Sequence, residues 1–412
     1  MPAMTPSADR RFVLLAWSLI GVLGWAGLLL LARELLAMSP PNAGFDLELL
    51  LEAGRRVAGG ESPYDASLVA GQTVQAESLF YSYPPPVAQA MALVAWLPSN
   101  VVLAGSALGA TAGLGLVTAG LGRAADRAVG RARPMIDRVL PVLAIAPFVF
   151  PFAIALLFGN LDAWFPLAFG AILLGVSSSV RAGDEAAEHG HRRGWVAAGI
   201  VVGLIGVAKL HPASLGLWFL ARGWRQRRAG SRGLPLGWVA ASAVVATALA
   251  IVVVSVVFGG TGPWADYLKV IQAGTGADLV DRRNIGPAAQ VAALLGGGGQ
   301  SARLLQIPVT LLACAVTVWA AVTRRDPVES LSWATVASLV TLPVTWFHYP
   351  VALIPFAVAA WARVRGTPAA PATARLLTLA VAVSALSIVL PVTLWIPIGF
   401  VLVAVHRSAG TA

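Results

Sequence analysis

The chain has 412 residues, of which 58% are hydrophobic and 12% charged, and its mean hydropathy is +0.77. This composition, with repeated apolar runs near the length that crosses a bilayer, predicts an all-α polytopic membrane protein. The formal net charge of +10 does not indicate a nucleic-acid-binding protein, because the arginines cluster in short loops between apolar runs. A single cysteine, Cys314, excludes an intrachain disulfide and any cysteine-based metal site.

The first apolar run, residues 12–36, follows Arg10 and Arg11 but is too long for a signal peptide, so it predicts a first transmembrane helix. Residues 44–56 then place apolar side chains at helical spacing, with Glu52 and Arg56 as an i, i+4 pair. This pattern predicts an amphipathic helix on the outer membrane surface. Asp46 stands in its first turn, where helix capping is the alternative to a catalytic role.

Two kinds of loop alternate along the chain. Arginine-rich loops, which the positive-inside bias places in the cytoplasm, are 123–138, 181–193, 222–232, 324–326 and 363–375. Loops rich in Asp, Asn, Tyr, Trp, His and Pro, expected on the outer side, are 37–85, 159–164, 209–212, 259–301 and 343–350.

The alternation predicts about 12 crossings in one domain over residues 1–412, with both termini in the cytoplasm. The charge rule requires an odd number of crossings between the outer loop 37–85 and the arginine-rich loop 123–138, but 84–97 and 101–121 look like two segments. Either one of these segments is re-entrant or the loop at 123–138 breaks the rule. The prolines at 84–86 predict an extended segment.

Lys209 lies inside the apolar stretch 195–220, and the chain has only one other lysine, Lys269. A cation at membrane depth is costly and therefore indicates a functional site or a buried partner. Pro212 interrupts the helix three residues later, which membranes tolerate where the freed backbone groups meet protein or a wet cavity. A broken helix around a cavity is the expected structure.

Four further motifs fall in the outer loops. Tyr64, Tyr81 and Tyr83 are interfacial anchors or walls of a sugar site. The tight turn at 159–164 carries Asn160 and Asp162, which favour turns whatever their function.

The third motif, residues 281–284, carries Arg282, Arg283 and Asn284 on the outer side, against the charge bias, so contact with an anion is expected. In the fourth motif, residues 342–350, His348 lies between Trp346 and Tyr349. A buried histidine of this kind is more commonly a core residue than a catalyst.

In their order, these motifs resemble glycosyltransferase family 87. They are the outer Asp46, Gly-Gly-x-x-Pro-Tyr-Asp at 59–65, Tyr-Pro-Pro-Pro at 83–86, Gly-Asn at 159–160, Lys-x-x-Pro at 209–212 and Trp-x-His at 346–348. The resemblance implies an integral membrane enzyme of the GT-C class that uses a polyprenyl-phosphate sugar on the outer face of the plasma membrane of an actinobacterium. Within the family, the chain is most similar to mannosyltransferases that transfer mannose from polyprenyl-phosphomannose, in α-1,2 linkage, to a phosphatidylinositol mannoside.

The resemblance implies Asp46 as catalytic base, with His348 as a second catalytic residue. The expected ligands of the donor phosphate are Lys209, His211, Arg282 and Arg283. The expected sugar and acceptor contacts are Tyr64, Tyr81, Tyr83, Asn160, Asp162, Asn284, Trp346 and Tyr349. No cofactor or metal ligand is assigned, a divalent-metal requirement stays open, and a monomer among membrane lipids is expected.

Three alternatives remain at this point. Arabinofuranosyltransferases and lipomannan-branching mannosyltransferases share the family. A secondary transporter also has broken helices and a midplane lysine, although no internal repeat is evident. A non-catalytic scaffold would leave Asp46, Lys209 and His348 without a shared reason to face outward.

Overall fold

The structure, a computed structural model, describes residues 8–38, 43–72, 80–177, 185–231, 233–279, 281 and 283–410. Helices dominate these ranges, which contain no strand. The helices of the first half are α1 (Ala8–Ala37), α2 (Phe45–Ala58), α3 (Ala66–Val69), α4 (Pro85–Ala92), α5 (Ser99–Ala128), α6 (Met135–Ile145), α7 (Phe150–Phe158), α8 (Phe165–Ser177) and α9 (Glu185–Lys209). Those of the second half are α10 (Leu215–Arg228), α11 (Leu236–Gly259), α12 (Gly262–Asp278), α13 (Pro287–Leu294), α14 (Gly299–Thr323), α15 (Pro327–Leu339), α16 (Ile354–Val364), α17 (Ala370–Leu386) and α18 (Trp395–Ala409).

The all-α membrane architecture agrees with the sequence. Within the described residues, five helices are long and apolar enough to cross a bilayer, namely α1, α5, α11, α14 and α18 with the turn before it. Helices α6 and α7 form a sixth candidate if they act as one span, with a bend of 73° between them. Helix α9 has 25 residues but begins with a charged segment, and the remaining helices are shorter, so the twelve crossings stay a prediction.

The segment 84–97 does not contain a spanning helix. Only the eight residues of α4 are helical there, and turns follow before the single long helix α5 begins. The extended conformation expected at the proline run is wrong for Pro85 and Pro86, which occupy the first turn of α4. Proline suits this position because the first helical amides have no intrahelical acceptor and the ring fixes a helical φ.

The core lies between α5, α7, α8, α9, α10, α15 and α16, where large aromatic side chains are fully buried. Trp218 is among them, and its indole Nε1 donates to Ser330 Oγ at 2.9 Å. Helices α8 and α9 approach closely at Gly175 and Gly194, where a Cβ on either residue would clash with the backbone carbonyl of the other. Small residues at helix contacts are the usual way for membrane helices to approach this closely.

Side-chain and backbone contacts gather many of the connections between helices into two groups, one at each end of α10. We call the end formed by residues 43–46, 159–162, 209–212, 283–286 and 343–349 the site end. We call the other end, formed by residues 126–138, 222–228, 324–329 and 363–365, the arginine-rich end. Long-range contacts hold the latter together, including Arg363 Nη1 on Asp326 Oδ1 at 3.0 Å and Arg133 Nη2 on the Arg365 carbonyl at 2.9 Å.

Candidate active site

The amphipathic helix predicted at 44–56 is α2. Its leucine face is buried, with Leu50 and Leu51 both fully inaccessible, and each such burial contributes about 1.5–3 kcal/mol. The opposite face carries the predicted Glu52–Arg56 pair at 3.5 Å, together with Arg55, which bonds both Glu48 and Glu52. Helix α2 therefore packs one side firmly against the bundle.

The start of α2 is fixed against the end of α7. Gly44 precedes α2 with φ of 72°, and its N–H donates to the Leu157 carbonyl at 2.8 Å. Gly159 ends α7 in the left-handed region, with φ of 67°, and a Cβ there would lie 2.6 Å from Leu47 Cβ. Glycine is required on both counts, and the close approach brings residue 160 beside residue 46.

Asp46 faces the turn after α7 and does not cap α2. The N-cap of α2 is Gly44, which makes no side-chain cap, whereas Asp46 Oδ2 accepts a hydrogen bond from Asn160 Nδ2 at 2.6 Å. Burial raises the pKa of the Asp46 carboxyl, while the Asn160 hydrogen bond and the charges of Lys209 and Arg283 act in the opposite direction. Asp46 remains partly exposed, so a substrate can reach it.

Lys209 has a carboxylate partner, Asp162. Helix α9 ends at Lys209, as the break predicted at 209–212 requires, and Nζ lies 3.3 Å from Asp162 Oδ1. His348 Nε2 lies 3.2 Å from Asp162 Oδ2, although this approach lacks the alignment of a hydrogen bond. Asp162, which has no exposed surface, therefore sits between a cation and a histidine.

The backbone between Lys209 and His211 is strained. Leu210 has φ of 56° and ψ of −53°, and within the described ranges it is the one non-glycine residue with positive φ. A leucine in this conformation costs on the order of 1–3 kcal/mol. Its position between two residues of the candidate site is typical of strain held by the surrounding structure at a functional site.

Aromatic rings surround the lysine. Lys209 Nζ lies 5.1 Å from the centre of the Tyr83 ring and 4.9 Å from that of Tyr349, distances at which a cation is attracted to a ring face. His211 stacks on Tyr349 with ring centres 4.6 Å apart. The Tyr83 phenol also lies beside Asn160 and both carboxylates.

Four polar atoms near Lys209 are buried without a hydrogen-bond partner in the described structure. They are the two ring nitrogens of His211 and the two of His348, and Asp162 Oδ1 is likewise without a hydrogen bond despite its approach to Lys209. Buried polar groups normally have partners, so such a cluster fits a place that a polar ligand completes. No group of three or more His, Cys, Asp or Glu residues suited to a metal ion occurs among the residues described.

Asn284 and Trp346 join two loops at the site end. Their backbones form an isolated antiparallel bridge, and Asn284 Oδ1 accepts from the backbone N–H of Thr345 at 2.9 Å. The Asn284 side chain is thus used to hold residues 345 and 346 in place. Arg283 bonds Asp281 and lies over the Trp346 ring at 5.6 Å, while Arg282 lies outside the described residues.

Tyr64 and Tyr81 are core residues of the connection between α2 and α4. Both are buried, their ring centres are 5.5 Å apart, and their hydroxyls donate to the carbonyls of Tyr83 and Pro84 respectively. In this structure their rings stabilise the loop that carries Tyr83 and are not open to a sugar.

Sequence reasoning selected Asp46, Lys209 and His348, and the structure gathers them at one end of the bundle. The sequence did not identify Asp162 as the partner of Lys209, or Asn160 as the partner of Asp46. The only signal was the spacing in Asn160-Leu-Asp162, which places two polar side chains in one tight turn beside apolar helices.

Comparison with known proteins adds the family. The sequence model of glycosyltransferase family 87 matches residues 81–345, which is well over half of the chain. The matched range includes Asn160, Asp162 and Lys209, whereas Asp46 lies well before its start and His348 just after its end. No curated protein matched the chain. The extent of the family match shows that the chain belongs to glycosyltransferase family 87.

Proposed function

We propose that the protein transfers mannose from polyprenyl-phosphomannose to a phosphatidylinositol mannoside, in α-1,2 linkage, with inversion at the anomeric carbon. Membership of a glycosyltransferase family makes the chain a transferase and removes the transporter and scaffold alternatives. The observation that carries the proposal is that Asp46, a partly exposed residue, lies near enough to the buried cation Lys209 for the charge of Lys209 to lower its pKa.

The two carboxylates have different roles. Asp162 has no exposed surface and lies against Lys209, so it holds the lysine and does not touch the acceptor. Asp46 is partly exposed and has one oxygen engaged by Asn160, so it is the base. Its raised pKa keeps the carboxylate basic enough to take a proton in the transition state.

The reaction follows from these positions. The acceptor hydroxyl attacks C1 of the β-mannosyl phosphate, and its proton passes to Asp46 as the new C–O bond forms. The bond from C1 to the phosphate oxygen breaks, and its electron pair leaves on the polyprenyl phosphate. Lys209 faces the charge that grows on this oxygen, with His211, His348 and Arg283 nearby, and so favours the transition state over the ground state.

The proposal includes a sidedness. We assign the site end to the outer face of the plasma membrane and the arginine-rich end to the cytoplasm, as the positive-inside bias requires. If α8, α9, α10, α15, α16 and α17 cross as well as the six candidates, the count is twelve and both termini are cytoplasmic. The enzyme would then act as a monomer on two lipid substrates that diffuse to it within the membrane.

A donor panel tests the proposal. Purified protein in vesicles that contain phosphatidylinositol mannosides is given labelled polyprenyl-phosphomannose or polyprenyl-phosphoarabinose, and the lipids are extracted. We expect label only from the mannose donor, α-1,2 linkage in the product, and a loss of about 10²- to 10⁴-fold in Asp46→Asn.

Label from the arabinose donor would reassign the chain to the arabinofuranosyltransferases of the family. A branched lipomannan product would assign it to the branching mannosyltransferases. Full activity in folded Asp46→Asn would remove Asp46 from the role of base.

A further inference from the structure

We propose that Asn160 is a positioning residue that holds Asp46 by Oδ2, so that Oδ1 is the oxygen that meets the acceptor hydroxyl. The inference rests on the proposed function in one respect, which is the assignment of Asp46 as the base. It gives Asn160 a role in place of the sugar contact expected from the sequence.

The orientation of the Asn160 amide is determined by its partners. Its Oδ1 accepts the backbone N–H of Asp162 at 2.9 Å, and that N–H can only donate. The Nδ2 group must therefore point the other way, where it meets Asp46 Oδ2 at 2.6 Å. If the amide were reversed, Nδ2 would face the N–H of Asp162 and Oδ1 would face Asp46 Oδ2, and neither contact could form a hydrogen bond with an ionised Asp46. The side chain therefore has one stable orientation.

The position of Asn160 is equally constrained. The residue is 3% exposed and follows Gly159, whose left-handed conformation and contact with Leu47 lock the end of α7 against α2. The rings of Phe45 and Phe158, which flank the two polar residues, pack with centres 4.1 Å apart. The distance from Asn160 to Asp46 is thus set by the packing of two helices, 114 residues apart in the chain.

Among the described residues, one oxygen of Asp46 is bonded to another side chain. Within the described part of the chain, the hydrogen bond from Asn160 is the one that the Asp46 carboxylate accepts, and it is made to Oδ2. Held in this way, the carboxylate cannot rotate to exchange its two oxygens without losing a charge-assisted bond. Oδ1 is therefore presented in a fixed direction, which is what a general base requires.

The Asn160 bond also acts on the protonation of Asp46. The charged and titratable groups that face Asp46 are Lys209, Arg283, Asp162 and the Tyr83 phenol. A hydrogen bond donated to a carboxylate favours its ionised form, whereas burial of Asp46 opposes it. Loss of the Asn160 donor should then raise the pKa of Asp46.

Two variants separate this role from simple turn formation. Asn160→Asp keeps an N-cap of equal quality for the Asp162 N–H but replaces the donor to Asp46 with a second carboxylate. Asn160→Ser keeps a capping oxygen, adds no charge and is too short to reach Asp46. We expect the pKa of Asp46 to rise in the order wild type, Asn160→Ser, Asn160→Asp, with a shift of at least about one pH unit in the last.

The measurement needs no substrate. The infrared band of the protonated Asp46 carboxyl is titrated in the purified full-length protein, as the difference between each Asn160 form and the same form carrying Asp46→Asn. The acid limb of the transfer rate should move upward in parallel, with the KM for the donor unchanged.

The possible outcomes are distinct. An unchanged Asp46 titration in both Asn160 variants overturns the inference, whether or not the melting temperature falls, and leaves Asn160 a turn residue. A raised donor KM with an unchanged titration overturns it in favour of the sugar contact. If the titration shifts as expected but no mannose is transferred by wild type, the positioning role stands and the proposed function fails.

Discussion

At each end of the bundle a buried carboxylate lies between a cation and a histidine. At the site end Asp162 lies 3.3 Å from Lys209 and 3.2 Å from His348, and at the arginine-rich end Glu329 lies 3.3 Å from Arg324 and 2.8 Å from His406. The partners of Glu329 reach solvent, with 32% and 62% of their side chains exposed, whereas those of Asp162 are 6% and 7% exposed.

The two ends also differ in how completely their polar atoms are bonded. His406 Nδ1 bonds Glu329 at the arginine-rich end, and Arg222 donates to the carbonyls of Ala321, Arg324 and Arg325 at the end of α14. At the site end the four ring nitrogens of His211 and His348 lack hydrogen-bond partners in the described structure, and at the arginine-rich end Arg324 Nε also lacks one. The same types of residue thus form a structural cap at the arginine-rich end and a buried cluster with several unbonded ring nitrogens at the site end, which is the arrangement that a charged ligand completes.

The largest expected difference between the two ends is their exposure to opposite sides of the membrane. In a Cys314→Ala background, a cysteine at the exposed position 65 should react with an impermeant reagent in intact cells. A cysteine at the exposed position 228 should react only after permeabilisation. Position 281, which the sequence offers as a second outer site, is unsuitable because Asp281 is buried. Labelling of position 228 from outside would overturn the topology and the proposed sidedness.

The next effect is the loss of Lys209. Lys209→Met leaves Asp162, which has no exposed surface, without its cation and should lower the free energy of unfolding by roughly 3–5 kcal/mol. It should also abolish most of the activity with the lipid donor. The double variant Lys209→Met/Asp162→Asn removes both charges, so it should recover most of the melting temperature without recovering donor use. Thermal unfolding beside donor titration measures the two effects separately. Recovery of donor binding in the double variant would show that Lys209 has only a structural role.

Glu329→Gln is the matched change at the arginine-rich end. Because Arg324 and His406 are both partly solvated, the loss of their partner should cost only about 1 kcal/mol. The transfer rate should stay within about twofold of wild type, since the change lies at the opposite end of the bundle. Stability and turnover are measured on the same preparation as for Lys209→Met. A loss of turnover comparable to that of the Lys209 variant would mean that the two ends are not functionally distinct.

Much of the architecture follows from local patterns in the sequence. The first helix, α2 and the break after Lys209 are encoded by hydrophobic periodicity and proline placement, and they agree with the structure. The extended segment predicted at 84–86 was wrong because proline suits both an extended segment and the first turn of a helix. The packing of α4 on α2 favours the helix.

The partnerships within the site were not predictable in the same way. Turn chemistry explains why Asn160 and Asp162 share a turn, but not that the first faces Asp46 and the second faces Lys209. The first contact depends on how α7 packs against α2, and the second on where α9 ends relative to the turn after α7. Arg283 pairs with Asp281, two residues earlier in the chain, and its assignment to the donor phosphate remains a prediction.

The smallest expected effect is the pH dependence of stability at Asp46, the carboxyl of the site end that is proposed to act as base. Burial raises the pKa of this carboxyl above its ordinary value of 3.8, so the folded protein binds the proton more tightly than the unfolded chain does. That stabilisation is fully present below the unfolded pKa and is lost as pH rises through the folded pKa. Asp46→Asn has no such proton to lose, and its amide oxygen still accepts from Asn160.

The melting temperature of Asp46→Asn minus that of wild type should therefore increase as pH rises from about 4 and become constant above the folded pKa, while transfer is lost throughout. Titrating groups distant from Asp46 are common to both proteins and cancel in this difference, whereas Asp162 and Lys209 interact with Asp46 and contribute to it. A difference that is flat or falls with pH would show that ionised Asp46 is not held at a cost to stability, and the proposed base would lose its physical rationale.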